Sequence, residues 1–175
     1  MKAFSFLITV FVITGLCGCV AIPEYKQIAN NSNGAYIVPS LTTLKLLAGA
    51  ATVDVVDSPA ICGEKYLDPK RIFRLAQGNP MISNLNQDGA WVPSSMPINL
   101  VVMVMMDGFN CGQAISFLPE QGGKYRLDIS GKSSFSKYIP PTCEILVSKI
   151  GATGQDLGPA PELRPLPCIE KSHIK

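Results

Sequence analysis

The chain has 175 residues, a length typical of one domain with short extensions. Hydrophobic residues make up 47% and charged residues 16%, which excludes a chain that is disordered throughout. The net charge of +2, from 15 basic and 13 acidic residues, lacks the basic field that nucleic-acid binding requires.

The N-terminus carries an apolar segment behind one positive charge. Lys2 precedes residues 3–16, fourteen residues without a charge. A helix needs about 20 apolar residues to cross the hydrocarbon of a bilayer, whereas this length suits the apolar region of a signal peptide. We therefore predict that residues 1–18 are a leader that is removed.

The leader ends in Leu16-Cys17-Gly18-Cys19, which resembles the lipobox of bacterial lipoproteins. In that motif a leucine, a small residue and a glycine precede an obligatory cysteine. Cys17 departs from the usual Ala, Ser or Thr, although its size is compatible. The resemblance implies that Cys19 becomes the first residue and carries a diacylglyceryl thioether and an acylated amine, which together anchor a protein stably.

Val20 bears on the membrane to which the chain is sorted. In Gram-negative lipoproteins an Asp at this position commonly signals retention in the inner membrane, and Val20 does not. The resemblance therefore implies attachment to the outer membrane, facing the periplasm. The alternative is a secreted protein without lipid.

Four cysteines remain for disulfides once the leader and the anchor are set aside, and the periplasm permits disulfides. They are Cys62, Cys111, Cys143 and Cys168. Four cysteines allow three pairings. Because Cys111 and Cys143 each open a strand-like run, we predict that they pair, and that the other two join the C-terminal tail to the body.

The N-terminal half of the mature chain changes character near residue 50. Residues 19–39 are rich in turn formers and predict a tether. Residues 40–49 fit a short helix or a strand. Farther on, "ATVDVVD" alternates as a half-buried strand does, "RIFRLAQ" has strand character, and "INLVVMVMM" indicates a central strand covered on both faces.

The C-terminal half is also β-rich. "CGQAISFLPEQGGKYRLDISG" predicts a β-hairpin with a glycine-containing loop, and "CEILVSKIG" predicts the next strand. Residues 152–175 are rich in Gly and Pro and predict an extended tail. Short strands separated by turns predict an all-β fold, a single antiparallel β-sandwich over residues 40–151.

One pattern resembles a known class of domain. Cys111, then Phe117-x-Pro119-x-x-Gly122-x-x-Tyr125, then Cys143 is similar to small immunoglobulin-like or transthyretin-like domains of bacterial envelope lipoproteins. The similarity covers about residues 111–149. It implies a fold rather than an activity.

Chemistry-bearing sets are scarce in the sequence. A hydrolytic triad requires a base beside its nucleophile, but His173, the single histidine, lies in the tail and no G-x-S-x-G motif occurs. No CxxC pair suggests a metal site. We therefore assign no catalytic residue, no metal and no cofactor, and predict that the protein is not an enzyme.

Three aromatic residues are candidates for binding: Trp91, Tyr125 and Tyr138. An exposed tryptophan stacks on sugars or anchors protein partners, but a tryptophan that caps a core is equally compatible with the sequence. The sequence predicts a lipoprotein that acts as a structural or interaction module for another envelope protein. The alternative is a small-ligand or glycan binder that uses these rings.

Overall fold

Two β-sheets form the regular structure of the chain in the computed structural model. The structure describes residues 21–29, 33–43, 49–57, 69–77, 83–106, 109–132 and 142–166. Within these ranges no helix occurs, and the strands in chain order are β1 (Gly34–Thr43), β2 (Gly49–Val56), β3 (Lys70–Gln77), β4 (Ala90–Pro93), β5 (Ile98–Met106), β6 (Phe109–Phe117), β7 (Lys124–Lys132), β8 (Thr142–Ile150), β9 (Asp156–Pro159) and β10 (Arg164–Pro165).

The two sheets pack face to face around one hydrophobic core. Sheet 1 has the order β4-β1-β7-β8-β9, and sheet 2 has the order β10-β6-β5-β2-β3. Phe117 of β6 and Tyr125 of β7 meet across the core with ring centroids 5.2 Å apart. Full burial of each such side chain contributes about 1.5–3 kcal/mol. The predicted all-β sandwich is confirmed.

One pair of neighbouring strands departs from the predicted antiparallel pattern. The strand β1 runs parallel to β7, in register from Tyr36↔Lys124 to Thr43↔Gly131. The other ladders between the described strands are antiparallel. Parallel neighbours need a long crossover, which the intervening strands β2 to β6 provide here.

The strands extend past both limits predicted for the sandwich, residues 40 and 151. Ala35 and Ile37 of β1 are fully buried, although they lie in the predicted tether. In the predicted tail, β9 pairs with β8 and β10 pairs with β6. These segments are rich in turn formers, but each contains apolar residues that the core buries, and Ala160 and Leu166 are examples.

The hairpin predicted over residues 111–131 is wrong. The strands β6 and β7 lie in different sheets, so they face each other instead of pairing. Residues 118–123 carry the chain between the sheets, and the Gly122 N–H donates to the Gly34 carbonyl at 2.8 Å. The alternation of apolar and polar residues identifies the side chains that point inward. It is the same whether two strands pair within one sheet or face each other from two sheets, so it does not distinguish these arrangements. The observed hairpin is β5–β6, paired as far as Met106↔Phe109.

Sheet 2 is buried on both faces near its centre. The predicted cover of β5 on both faces is found near its centre, where Leu100 and Val102 face the core and Val101 on the other face is only 4% exposed, but Met105 on that outer face is 41% exposed. The strand β2 was predicted to be half-buried, but Thr52 and Asp54 on its outer face are also buried. The neighbouring strands β3 and β5 cover these short side chains.

The two ends of the sandwich are called the disulfide end and the turn end. The disulfide end contains Cys111 and Cys143 and the end of β1. The turn end contains the connections at residues 94–97, 118–123 and 151–155. A strand of nine residues such as β7 separates the two ends by about 30 Å.

Candidate functional site

A cysteine pair joins the two sheets at the disulfide end. Cys111 of β6 and Cys143 of β8 lie at disulfide distance, with Cα atoms 6.3 Å apart. That separation falls within the normal range for a disulfide. Both side chains are half-buried against the core. The structure thus brings together the two cysteines that the sequence predicts to pair. This pair holds β6 beside β8.

The outer edge of β8 is covered over only half its length by the described residues. The strand β9 pairs with β8 at Ser148 and Ile150, and the Ala160 N–H donates to the Val147 carbonyl at 2.8 Å. In an antiparallel ladder, alternate residues direct both backbone groups to the same side. Cys143 and Ile145 therefore point the same way as Val147, and no described backbone group pairs with them there.

The strand β6 has a similar edge beside the same disulfide. The Leu166 N–H donates to the Ala114 carbonyl at 2.9 Å, and β10 pairs with β6 at Ile115 and Ser116. By the same alternation, Asn110 and Gly112 direct their backbone groups outward. Within the described ranges these groups have no strand beside them.

On the opposite side of the sandwich, the described chain closes the edge of β3. The Arg71 N–H donates to the Pro23 carbonyl at 2.8 Å, and the Tyr25 N–H donates to the Arg71 carbonyl at 2.8 Å. Arg74 exchanges two backbone hydrogen bonds with Leu85. Part of the predicted tether thus lies against the sandwich as an additional short strand.

The N-terminal segment also contacts sheet 1. The Gln27 side chain accepts a hydrogen bond from the Trp91 backbone N–H at 3.1 Å and donates to Asn86 Oδ1 at 3.0 Å. Residues 23–27 therefore connect β3 of one sheet to β4 of the other. Residues 23–27 of the predicted tether dock here because their backbone and amide groups form hydrogen bonds with both sheets.

The aromatic candidates do not form a common site among the described residues. Tyr125 is fully buried, and its hydroxyl oxygen accepts the Glu120 N–H at 2.9 Å. Burial raises the pKa of the Tyr125 phenol above its ordinary value of 10.0. Trp91 is half-buried on the outer face of sheet 1, with its ring 5.0 Å from that of Tyr36. Tyr138 lies outside the described residues.

Gly89 fits beneath the Tyr36 ring, and we expect Gly89→Ala to lower the free energy of unfolding by about 2–3 kcal/mol. Its φ of 123° disfavours any side chain, and a Cβ atom would lie 2.5 Å from Tyr36 Cζ. The displaced ring would lose the hydrogen bond from its hydroxyl to the Asp88 carbonyl. Urea unfolding followed by Trp91 fluorescence measures the effect.

Gly154→Ala is the matched control for this substitution. Its φ is also positive, at 81°, but a Cβ atom there meets nothing within 4 Å. The control should lower the free energy of unfolding by about 1 kcal/mol, because only the strain of the backbone contributes. Equal losses from the two variants would show that the contact with Tyr36 does not matter.

A pocket of about 160 Å³ lies at the turn end. Tyr25, Asp57, Met96 and Asn99 are among the residues that line it. Burial and the nearby Asp57 carboxylate raise the pKa of the Tyr25 phenol above 10.0. Pockets for small ligands usually measure about 300–1,000 Å³, so this volume offers little support for the ligand-binding alternative.

An ion pair on the outer face of sheet 2 was not predicted. Arg71 Nε donates to Asp54 Oδ1, and Nη2 donates to Oδ2 at 3.2 Å. The Arg71 and Asp54 side chains are only 15% and 10% exposed. Asp54 and Arg71 are cross-strand partners in the β2–β3 ladder. The sequence places both residues on strands but carries no signal for that register.

Several predicted site residues lie outside the described ranges: Cys19, Cys62, Cys168 and Tyr138. The described part of the chain contains no helix long and apolar enough to cross a membrane. The same residues contain no cluster of three or more His, Cys, Asp or Glu side chains suited to a metal ion. Comparisons of the chain with protein families, with curated proteins and with solved structures find no match.

Proposed function

We propose that the chain is a lipid-anchored bacterial envelope protein whose sandwich binds another envelope protein. The lipobox-like sequence at residues 16–19 supports attachment through acylated Cys19, at the outer membrane and facing the periplasm. One structural observation carries the interaction role: the half-covered edge of β8 beside the Cys111–Cys143 pair.

An open strand edge is suited to protein binding because its backbone groups remain available to an added strand. At Cys143 and Ile145 these groups point away from β7, and the described chain pairs with neither. Leu146, which follows Ile145 and is 49% exposed, provides an apolar neighbour for a side chain of the added strand. An extended apolar segment of a partner fits this edge.

The contrast between the two sides of the sandwich supports this choice. The edge of β3 is closed by residues of the N-terminal segment and by Leu85. Both lie outside the ten named strands and hydrogen-bond to β3 through their backbones. Among the described residues, the β8 edge has such cover only from Val147 to Ile150. The disulfide holds the uncovered half in place, which reduces the ordering that binding requires.

The anchor is tested by Cys19→Ala in the full chain. We expect the variant to lose acylation, seen as the absence of acyl mass on the peptide that contains residue 19, and to leave the membrane fraction, because acyl chains supply the membrane affinity. Unchanged partitioning of the variant would refute the anchor.

The docking edge is tested by crosslinking in intact cells. We expect Leu146→Lys to lower the yield of the crosslinked envelope partner on the order of tenfold, because a charge at an edge strand opposes the addition of another strand. Leu157→Lys is the control, since Leu157 is 55% exposed but lies on β9, where the edge of β8 is already covered. Equal yields from both variants and the unmodified chain would refute the role of the edge.

A further inference from the structure

We infer that the turn end of the sandwich rests against the lipid bilayer and that the disulfide end points away from it. This inference rests on the proposed anchor at Cys19. In this orientation the turn end makes a second contact with the membrane, in addition to the lipid on Cys19.

The docked N-terminal segment limits the distance between the domain and the anchor. Pro23 and Tyr25 are hydrogen-bonded to Arg71 of β3. Four residue steps separate Cys19 from Pro23, and an extended chain spans at most about 3.6 Å per step, or about 14 Å in total. The point of attachment therefore lies within about 14 Å of the acylated residue, which is less than half the length of a sandwich strand of about 30 Å.

The direction of the same segment determines which end faces the lipid. Residues 23–25 run parallel to β3 through the bridge Glu24↔Arg71. The strand β3 begins at Lys70 at the turn end and proceeds toward the disulfide end. The chain that precedes Pro23 therefore leaves the domain at the turn end, and the short connection to the proposed anchor starts there.

The surface at the turn end suits the boundary between headgroups and acyl chains. Met96 is 56% exposed and Ile22 is 36% exposed, and Pro97 beside Met96 is also exposed. Met96 and Pro97 lie in the turn between β4 and β5 and line the pocket together with Tyr25. Apolar side chains that are exposed in water gain free energy on entering this boundary region.

The orientation accounts for the position of the open β8 edge. Cys143 and Ile145 lie in the half of β8 nearer the disulfide end, about 15–25 Å from the turn end along the strand. With the turn end on the bilayer, the edge is presented to the periplasm, where a partner can reach it. An anchor at the disulfide end would place the same edge against lipid.

Two native methionines at opposite ends test the orientation. The acylated protein is placed in vesicles of phosphatidylethanolamine and phosphatidylglycerol and treated with chloramine-T, a charged oxidant that converts exposed methionine to its sulfoxide. Peptide fragmentation then gives separate oxidation rates for Met96 at the turn end and Met105 at the disulfide end. Met105 is 41% exposed, so exposure alone would make Met96 the faster.

We expect Met96 to be oxidised at least about threefold more slowly than Met105 on vesicles, because lipid covers it. In Cys19→Ala protein from the soluble fraction, Met96 should be the faster. If Met96 is oxidised as fast as Met105 in acylated, vesicle-bound protein, the orientation is wrong and the anchor stands. If the mature chain carries no acyl mass at Cys19, the anchor and the orientation both fail.

Discussion

Replacing Cys111 and Cys143 by alanine should lower the free energy of unfolding by about 4 kcal/mol. The disulfide closes a loop with a sequence separation of 32 residues, and opening it returns conformational freedom to the unfolded chain. For a domain of this size the loss corresponds to a decrease in Tm of about 12 °C. Urea and thermal unfolding of the oxidised protein and of the double variant measure the effect.

Loss of this disulfide should also affect one end of the sandwich in particular. Because it joins β6 of sheet 2 to β8 of sheet 1, its loss frees the two sheets to separate at the disulfide end. The reduced unmodified protein should therefore match the double variant, and crosslinking to the envelope partner should weaken in both. A double variant as stable as the oxidised protein would show that the pair makes no net contribution. Peptide mapping without reductant tests the linkage and the second predicted pair, Cys62–Cys168.

Asp54→Leu should destabilise the protein by about 3 kcal/mol, because it leaves the Arg71 guanidinium without its carboxylate in a largely buried position. Arg71→Met should cost a similar amount, since Asp54 then loses both hydrogen bonds. The double variant Asp54→Leu with Arg71→Met should recover most of the loss and come within about 1 kcal/mol of the unmodified protein. Chemical denaturation of all four proteins gives the coupling energy.

A surface pair provides the control for this cycle. Lys149 bonds to Glu120, but the two side chains are 33% and 49% exposed. Lys149→Ala should change stability very little, because water screens exposed ion pairs. If the losses from Asp54→Leu and Arg71→Met simply add in the double variant, the pair is not coupled.

The sequence predicted the side chains that point inward more reliably than the strands that pair. Cys143, Ile145 and Val147 share one face of β8, as their alternation indicates, and all three contribute to the core. The same alternation led to the wrong hairpin between β6 and β7. A period of two records one buried face, but the neighbour of a strand depends on hydrogen bonds to residues far away in the chain.

The candidate docking edge could not have been found from sequence. Its exposure depends on where β9 stops pairing with β8 and on which side of β8 the strand β7 lies. The sequence of residues 142–146 indicates neither the end of the β9 pairing nor the side on which β7 lies. Likewise, the turn formers in residues 19–39 predicted a tether, whereas hydrogen bonds to Arg71 and Trp91 attach part of that segment to both sheets.

By itself the sequence determined an all-β chain and the inward faces of most strands, because local alternation carries that information, and it favoured Cys111 with Cys143 among the three possible pairings. Its lipobox-like motif also supports an anchor at Cys19. Only the tertiary structure decided the order of the strands, the buried Asp54–Arg71 pair, the part of the β8 edge that no described strand covers and the direction in which the N-terminal segment leaves the domain. These features arise from contacts between residues distant in sequence, and backbone hydrogen bonds that are nearly independent of residue type make most of those contacts.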